Sequence, residues 1–440
     1  MTQRGQWTSY QQRIEIGERA AAGESDPQIA EALGCSVWTV RKWRRICQRT
    51  GRSGLVSQMG RPARGALSQY PLAVREHIER LRRTHPGWGA ASILDQLAQT
   101  TALPAPDLPS RARVAAFLHA QGLVRRYERH GGVKAPPAPA ATQAHDAWEL
   151  DAQGAQPVAG LGSVSVVNIS DVVSRLKIES HPYPGGHLDW LVYQLALRCG
   201  FVQYGLPLRI TLDHDSAFHD NTSPSPYPSR LHLWLVALGV EVVFIAKPPP
   251  AAHAIIERTH QTMSGQAVQG QHWDSQAALW YELDERRPAL NTRLPCRTLH
   301  GQPPLQAHPE AAHSPRPYRL EWEEEMLDLT RIHALLATGR WFRQASCHGE
   351  FGLGMQRYNV GRAQARATLE ITFDPVAVEF VAQIAGTAQA KHCPAQGLTK
   401  AELMGDWPSI AVPNYQFALP FSRADWRKML LASCATGTTS

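Results

Sequence analysis

The stretch GGVKAPPAPAATQA, residues 131–144, is rich in Pro and Ala and has no apolar periodicity, which marks it as a linker. A new domain is expected to start just after it, because the patterns on its two sides differ. Before it, apolar residues recur at helical spacing. After it, β-branched runs alternate with helical segments. At 440 residues the chain has room for about two to four domains, and 43% hydrophobic residues are enough for true cores.

Within an expected DNA-binding domain over residues 1–50, residues 12–46 read as three short helices. SDPQIAEALG supplies the second, with Ser25 or Asp26 as cap, Pro27 in the first turn and Gly34 as stop. SVWTVRKWRRICQR supplies the third. Val37, Val40 and Trp43 recur on one face, and Arg41, Lys42, Arg44 and Arg45 crowd the other. A helix, a short glycine turn and a basic helix make a helix-turn-helix, whose second helix enters the major groove of DNA. Residues 67–130 repeat the theme. Their last helix, SRARVAAFLHAQGL, has Ser110 as cap and Gly122 as stop, and VRRYERH follows it. Arg111, Arg113, Arg125 and Arg126 are the DNA-contact candidates of this second module. The basic, Gly-rich connector 51–66 either follows phosphates or is a tether.

Charge distribution agrees. Residues 1–131 carry 20 Lys and Arg against 10 Asp and Glu, while the remainder is slightly acidic. A basic front end on an acidic body suits a polyanionic partner. Seven scattered cysteines without a C-x-x-C pair argue against a disulfide framework or a structural zinc site. No run of about 18 apolar residues predicts a membrane span. MTQRGQWTSYQQR has no apolar signal segment, so a cytosolic protein is expected.

From His145 onward, DAWELDAQG, VSVVNISDVVS and RLKIESHP read as three successive strands. LDWLVYQLALRCGFVQYG is a helix, LRITLD a strand, RLHLWLVALG a helix, VEVVFI a strand and AHAIIERTHQTMSGQAV a helix. The order βββαβαβα predicts a mixed sheet with helices on its faces over residues 145–310. Short alternating runs in 335–385 are spaced like a small β-barrel, with Arg340, Arg343, Arg357 and Arg362 as phosphate contacts or plain surface residues. Residues 386–440 read as a loose tail with one helix around Trp426.

Three acids fall where this order brings chain segments together. Asp151 closes the first strand, Asp213 closes the fourth, and Glu257 opens the helix after the fifth. Carboxylates so gathered repel one another unless cations share them. Mg²⁺ prefers oxygen ligands, and two such ions, with Mn²⁺ as substitute, serve phosphodiester chemistry. Strand alternation turns Glu149 to the same side as Asp151, as a weaker rival ligand. Asp171 is expected to order a turn. His260 follows Glu257 by three residues on the same helical face, where a helix residue packs on the sheet.

These residues resemble the retroviral-integrase-like DDE transposases of bacterial insertion sequences. WELD at 148–151 matches the family's Trp-x-x-Asp. DHDSAF at 213–218 matches its Asp-Asn-Gly-Ser-x-Phe, with Ser216 and Phe218 setting the register. ERTHQTM at 257–263 is similar to its Glu-Arg-x-x-x-Thr-Leu. The resemblance implies an RNase H-like core with Asp151, Asp213 and Glu257 as catalytic metal ligands, Asp151 bridging the two ions. It also implies double-stranded DNA, both transposon ends and target, as the partner, and for His260 an approach to the site or to the DNA backbone as the alternative to packing on the sheet. A homo-oligomer on DNA is expected, and an ATPase helper is a candidate partner. The chain departs from the pattern in three places. His214 and Asp215 replace Asn-Gly, and Asp215 stands as an alternative ligand. KPPPAAHAIIER lacks an Asn-Gly before the glutamate. HDNTSPSPYPS, 219–229, lengthens the spacing between the second and third acids.

The expected protein is thus multidomain, with N-terminal all-α helix-turn-helix modules, a central α/β RNase H-like sheet and a C-terminal barrel. Its expected activity is metal-dependent DNA cleavage and strand transfer. Two alternatives are a catalytically inactive, transposase-derived DNA-binding regulator and an RNase H-type nuclease.

Overall fold

The computed structural model describes residues 8–56, 65–100, 108–124, 141–186, 188–215, 217–220, 223–245, 254–384 and 386–405. The linker apart from residues 141–144, residues 57–64 of the connector, the segment 246–253 before Glu257 and the helix expected near Trp426 lie outside them. The chain divides into two compact units, residues 1–75 and 76–440.

The first unit contains α1 (Tyr10–Ala21), α2 (Asp26–Ala32) and α3 (Val37–Thr50). Ser9 and Gln12 form a capping box on α1, and Ser36 accepts from the Thr39 N–H at 3.1 Å to cap α3. Gly34 ends α2 at φ +60°, a conformation that suits glycine. Ile16, Ile29, Ala30 and Val40 form the small core. Arg13 is buried beside it. It donates to the carbonyls of Leu55 (3.0 Å) and Thr8 (2.7 Å), and its guanidinium lies 4.1 Å from the Trp43 ring.

The division between the units falls inside α4 (Leu72–Thr84), which is followed by α5 (Ala90–Thr100) and α6 (Arg111–Ala120). The central sheet contains β1 (Ala147–Val158), β2 (Gly162–Asp171), β3 (Lys177–Pro184), β4 (Arg209–Leu212) and β5 (Glu241–Phe244). The strand order is β3-β2-β1-β4-β5, antiparallel among the first three and parallel from β1 to β5. Helices α7 (Trp190–Tyr204) and α8 (Arg230–Ala237) cover one face, where Trp148, Leu150, Val167, Ile169, Ile210 and Leu212 are buried. Helices α9 (Ala254–Met263) and α10 (Gln276–Thr292) cover the other, against Val158, Val164 and Val166. Asp151 does not close the first strand as expected. β1 continues to Val158, because its antiparallel pairing with β2 persists, through a bulge between Gln153 and Gln156, after its parallel partner has ended.

Two short helical turns, α11 (Pro304–Ala307) and α12 (Glu323–Met326), lead to α13 (Leu329–Ala337). The strands that follow are β6 (Trp341–Gln344), β7 (Glu350–Leu353), β8 (Gln356–Asn359), β9 (Thr368–Asp374), β10 (Glu379–Ile384) and β11 (Ala390–Pro394). They do not close into the expected barrel. Among the described residues they form an open four-stranded sheet, β11-β10-β9-β6, and a separate β7–β8 hairpin. Trp341, Phe351, Tyr358, Ile371 and Phe380 join the same apolar core as α7 and α8. Part of the expected tail is therefore structured. It holds β11 and then α14 (Lys400–Met404), where the Leu403 carbonyl accepts from Gln194 on α7 at 2.9 Å. Among the described residues no helix is long and apolar enough to cross a membrane.

Candidate active site

The parallel register fixes the first relationship. Glu149 on β1 forms the last parallel pair with Thr211 on β4, which ends at Leu212. Asp151 lies two residues beyond that pair on β1, and Asp213 follows the end of β4, near enough for its carboxyl to feel the charge of Asp151. Across the other edge of β1, Asp151 faces Asn168 on β2, which faces Ser180 on β3. One row of polar residues thus crosses three strands. Alternation turns Trp148 and Leu150 into the core under α7 and leaves Glu149 and Asp151 to the α9 side.

Each acid has its own surroundings. Burial, followed by the charges of Asp151 and Asp215, pushes the Asp213 carboxyl up. The Asp215 N–H, which donates to Asp213 Oδ1 at 2.9 Å, works against this. Asp215 is exposed, and its Oδ1 accepts from the Ala217 N–H at 2.8 Å, so its side chain helps build the turn after β4. Glu149 is buried under the start of α9 and accepts from the Ile256 N–H at 2.9 Å. Burial is the main cause that raises its carboxyl to about 7. Asp171 accepts from the backbones of His145, Val173 and Ser174 and orders the turn after β2, the role its position predicted.

Helix α9 buries Ile256, Thr259, His260 and Met263 against the sheet, and Glu257 falls off that stripe and is exposed. The residue that reaches the first aspartate is His260, with Nε2 3.0 Å from Asp151 Oδ2. Its Nδ1 lies 2.8 Å from Asn168 Nδ2. Thr259 bonds to Ser170 Oγ at 2.8 Å and accepts from Lys177 Nζ at 2.9 Å. Among the described residues, no group of three or more His, Cys, Asp and Glu side chains is gathered closely enough to hold a metal ion. The pair Asp151 and Asp213 nevertheless fits a divalent cation in chemistry: both are hard oxygen donors, and the charge of Asp151 helps push the Asp213 carboxyl up, a repulsion that a shared cation would relieve.

Three further residues of this neighbourhood were not read from the sequence. Asn168 and Ser180 belong to the polar row. Tyr193 on α7 is buried, its phenol pushed up by burial and then by the charges of Asp215, Asp151 and Asp213. A buried Asn inside the β-branched run VSVVNIS was the available signal.

The insertion 219–229 leaves the sheet intact, since Leu212 still pairs with Phe244. An isolated bridge between His219 and Pro228 closes its base, and Arg343 on β6 donates to Ser223 Oγ (2.6 Å) and the Ser225 carbonyl (3.0 Å). Arg343 is therefore engaged within the protein, while Arg340, beside Glu370 at 2.8 Å, Arg357 and Arg362 are exposed.

In the first unit, Arg41, Lys42 and Arg45 are exposed on α3. Arg44 is half-buried and bonds to Asp26 on α2 at 2.9 Å, with Arg41 at 3.4 Å from the same carboxylate. Trp38, in the first turn of α3, is 71% exposed, and Lys42 Nζ lies 5.7 Å from its ring. Arg111 and Arg113 are exposed on α6, and Arg125 and Arg126 lie outside the described residues.

A family model of homeodomain-like domains matches residues 7–56. Among solved structures, a chain of the simian T-cell lymphotropic virus intasome in complex with PP2A regulatory subunit B56 gamma is similar at 13% identity and a TM-score of 0.32. That match covers 74% of this chain and 98% of the other. The catalytic core domain of BIV integrase is similar at 17% identity and a TM-score of 0.29, covering 38% and 95%. The HTLV-2 integrase catalytic core domain in complex with magnesium is similar at 13% identity and a TM-score of 0.28, covering 39% and 99%. At these values the likeness is distant.

Proposed function

We propose that the chain is a DNA transposase. Its homeodomain-like module binds double-stranded DNA at element ends, and its RNase H-like core cleaves that DNA and transfers the strand in a metal-dependent reaction. The observation that carries this reading is the neighbourhood of Asp151 on β1 and Asp213 just past the end of the parallel strand β4, where the charge of the first acts on the carboxyl of the second. The strand order, three antiparallel and then two parallel, supports it. So do the exposed cations Arg41, Lys42 and Arg45 on α3, with Arg111 and Arg113 on α6 as further phosphate contacts.

Mg²⁺ or Mn²⁺ held by Asp151, Asp213 and Glu257 would activate an attacking hydroxyl and take up charge on the leaving oxygen. Asp151 stands between β4 and α9, so it is the donor that the other two can share. Joining two DNA ends calls for a homo-oligomer on DNA.

The test is cleavage of DNA carrying the sequences that border the gene, with Mg²⁺ or Mn²⁺, by wild type beside Asp213→Asn. Wild type should nick the DNA, and the variant should bind it equally and leave it intact. A second reading, a DNA-binding regulator without catalysis, is favoured by the exposed Glu257 and by the engagement of Asp151 with His260. Binding without cleavage by wild type would establish that reading and overturn the first.

A further inference from the structure

We propose that His260 is a positioning residue: it donates its Nε2 hydrogen to Asp151, holds that carboxylate in place and leaves the second carboxylate oxygen for a cation. The inference rests on the metal-dependent reading of the same site and assigns a role to a side chain that is not itself one of its ligands.

The hydrogen bonds fix which ring nitrogen carries the proton. Asn168 Nδ2 lies 3.3 Å from the Val166 carbonyl, which only accepts, so the amide nitrogen must be on that side. Asn168 Oδ1 correspondingly accepts from Ser180 Oγ at 2.6 Å. The amide nitrogen therefore also donates to His260 Nδ1, 2.8 Å away. A ring nitrogen that accepts carries no proton, so the neutral imidazole holds its hydrogen on Nε2, directed at Asp151 Oδ2 at 3.0 Å. The chain Ser180, Asn168, His260, Asp151 runs donor to acceptor without a conflict. Its three strand members lie in one register row of β3, β2 and β1, and α9 brings His260 onto that row.

Both ring nitrogens are thus engaged, and neither lone pair is free to ligate a metal. The same bond ties α9 to β1 three residues after Glu257, so it sets where that helix sits relative to Asp151. Partners of this kind around a ligating carboxylate are worth roughly 10- to 100-fold in metal affinity.

The experiment uses the full chain, labelled with ¹⁵N-histidine, and Mn²⁺ binding followed by electron paramagnetic resonance. The His260 signal is identified by its loss in His260→Gln. In wild type it should show a protonated Nε2 and a bare Nδ1. His260→Ala should weaken Mn²⁺ binding by roughly 10- to 100-fold. His260→Gln, which keeps an N–H donor, should recover most of that loss. Unchanged Mn²⁺ affinity in His260→Ala, or equal loss in the Ala and Gln variants, would overturn the proposal. If wild type binds no Mn²⁺ yet keeps the Nε2 proton, the metal-site reading fails and takes this role with it. A proton on Nδ1 in wild type overturns the relay alone.

Discussion

Arg198 on α7 and Glu323 on α12 meet in a two-pronged ion pair, at 2.6 and 2.8 Å, with neither side chain exposed. Trp234 Nε1 (2.9 Å) and the Tyr318 hydroxyl also donate to Glu323, and Arg198 reaches the Met404 carbonyl (2.9 Å). The pair thereby joins the sheet's covering helix to the C-terminal segment. Removing one partner leaves the other charge buried and alone, which costs about 3–5 kcal/mol. Glu323→Ala should lower stability on that scale in urea unfolding. Replacing both residues with apolar ones of similar size should cost less than Glu323→Ala alone.

The same pair predicts acid sensitivity. Burial works against ionised Glu323, but the charge and hydrogen bonds of Arg198, with those of Tyr318 and Trp234, overcome it and hold the carboxyl below its usual range. A depressed folded pKa gives stability that is present above the unfolded value and lost as pH falls through the folded one.

A second acid-sensitive group is His181, stacked on Tyr183 (4.7 Å) and tilted against Trp280 (4.3 Å). Burial, then the charge of Arg287, pushes its imidazole down to about 3. Unfolded, it takes a proton near the ordinary histidine value of 6.5; folded, it resists. Its contribution is complete above pH 6.5 and falls by about 1.4 kcal/mol per pH unit down to about 3. His181→Phe, which keeps a stacking ring, should show a shallower loss of stability than wild type between pH 6.5 and 4 in denaturant titrations.

Periodicity made the five central strands and their helices legible, because each has one apolar face to bury. The lower end of β1 was not legible: AQGAQPV is polar and is held by pairing with β2. Barrel closure was misread because strand spacing carries no record of which edges meet. At the site, the adjacency of β1, which carries Asp151, and β4, which leads into Asp213, could be anticipated from strand order. The phase of α9 could not. Ile256, Thr259, His260 and Met263 form the buried stripe, and two of those four are polar, so only docking decides that His260 turns in and Glu257 turns out.

DNA binding by α3 should separate into two kinds of contact. Lys42→Gln and Arg45→Gln should each make the salt dependence of binding shallower by about 0.9 in the log–log slope, one released counterion per phosphate contact. Trp38→Ala should lower affinity by a similar factor at every salt concentration, because an exposed ring contributes contact area and no charge. Fluorescence anisotropy over a salt series measures both. A slope change in Trp38→Ala would contradict this division.

The second helical module is fastened to the core by a close backbone approach. Trp88 Nε1 donates to the Gln266 carbonyl at 2.8 Å, and the Arg286 guanidinium lies 4.0 Å from the Trp88 ring. Gly87, just before that tryptophan, runs against the turn that follows α9: a Cβ placed on it would lie 1.9 Å from the Gly265 carbonyl oxygen. The reverse substitution is mild, since a Cβ on Gly265 would meet Gly87 no closer than 3.7 Å, an ordinary contact. Gly87→Ala must therefore push the two backbones apart, at a cost of about 1–3 kcal/mol for overpacking, and loosen the Trp88 bond as it does so. Gly265→Ala should leave that bond in place. Hydrogen exchange of α4, α5 and α6 distinguishes them: faster exchange across these helices in Gly87→Ala and near-wild-type rates in Gly265→Ala. Equal effects from the two variants would show that the contact at Gly87 does not set the docking of this module.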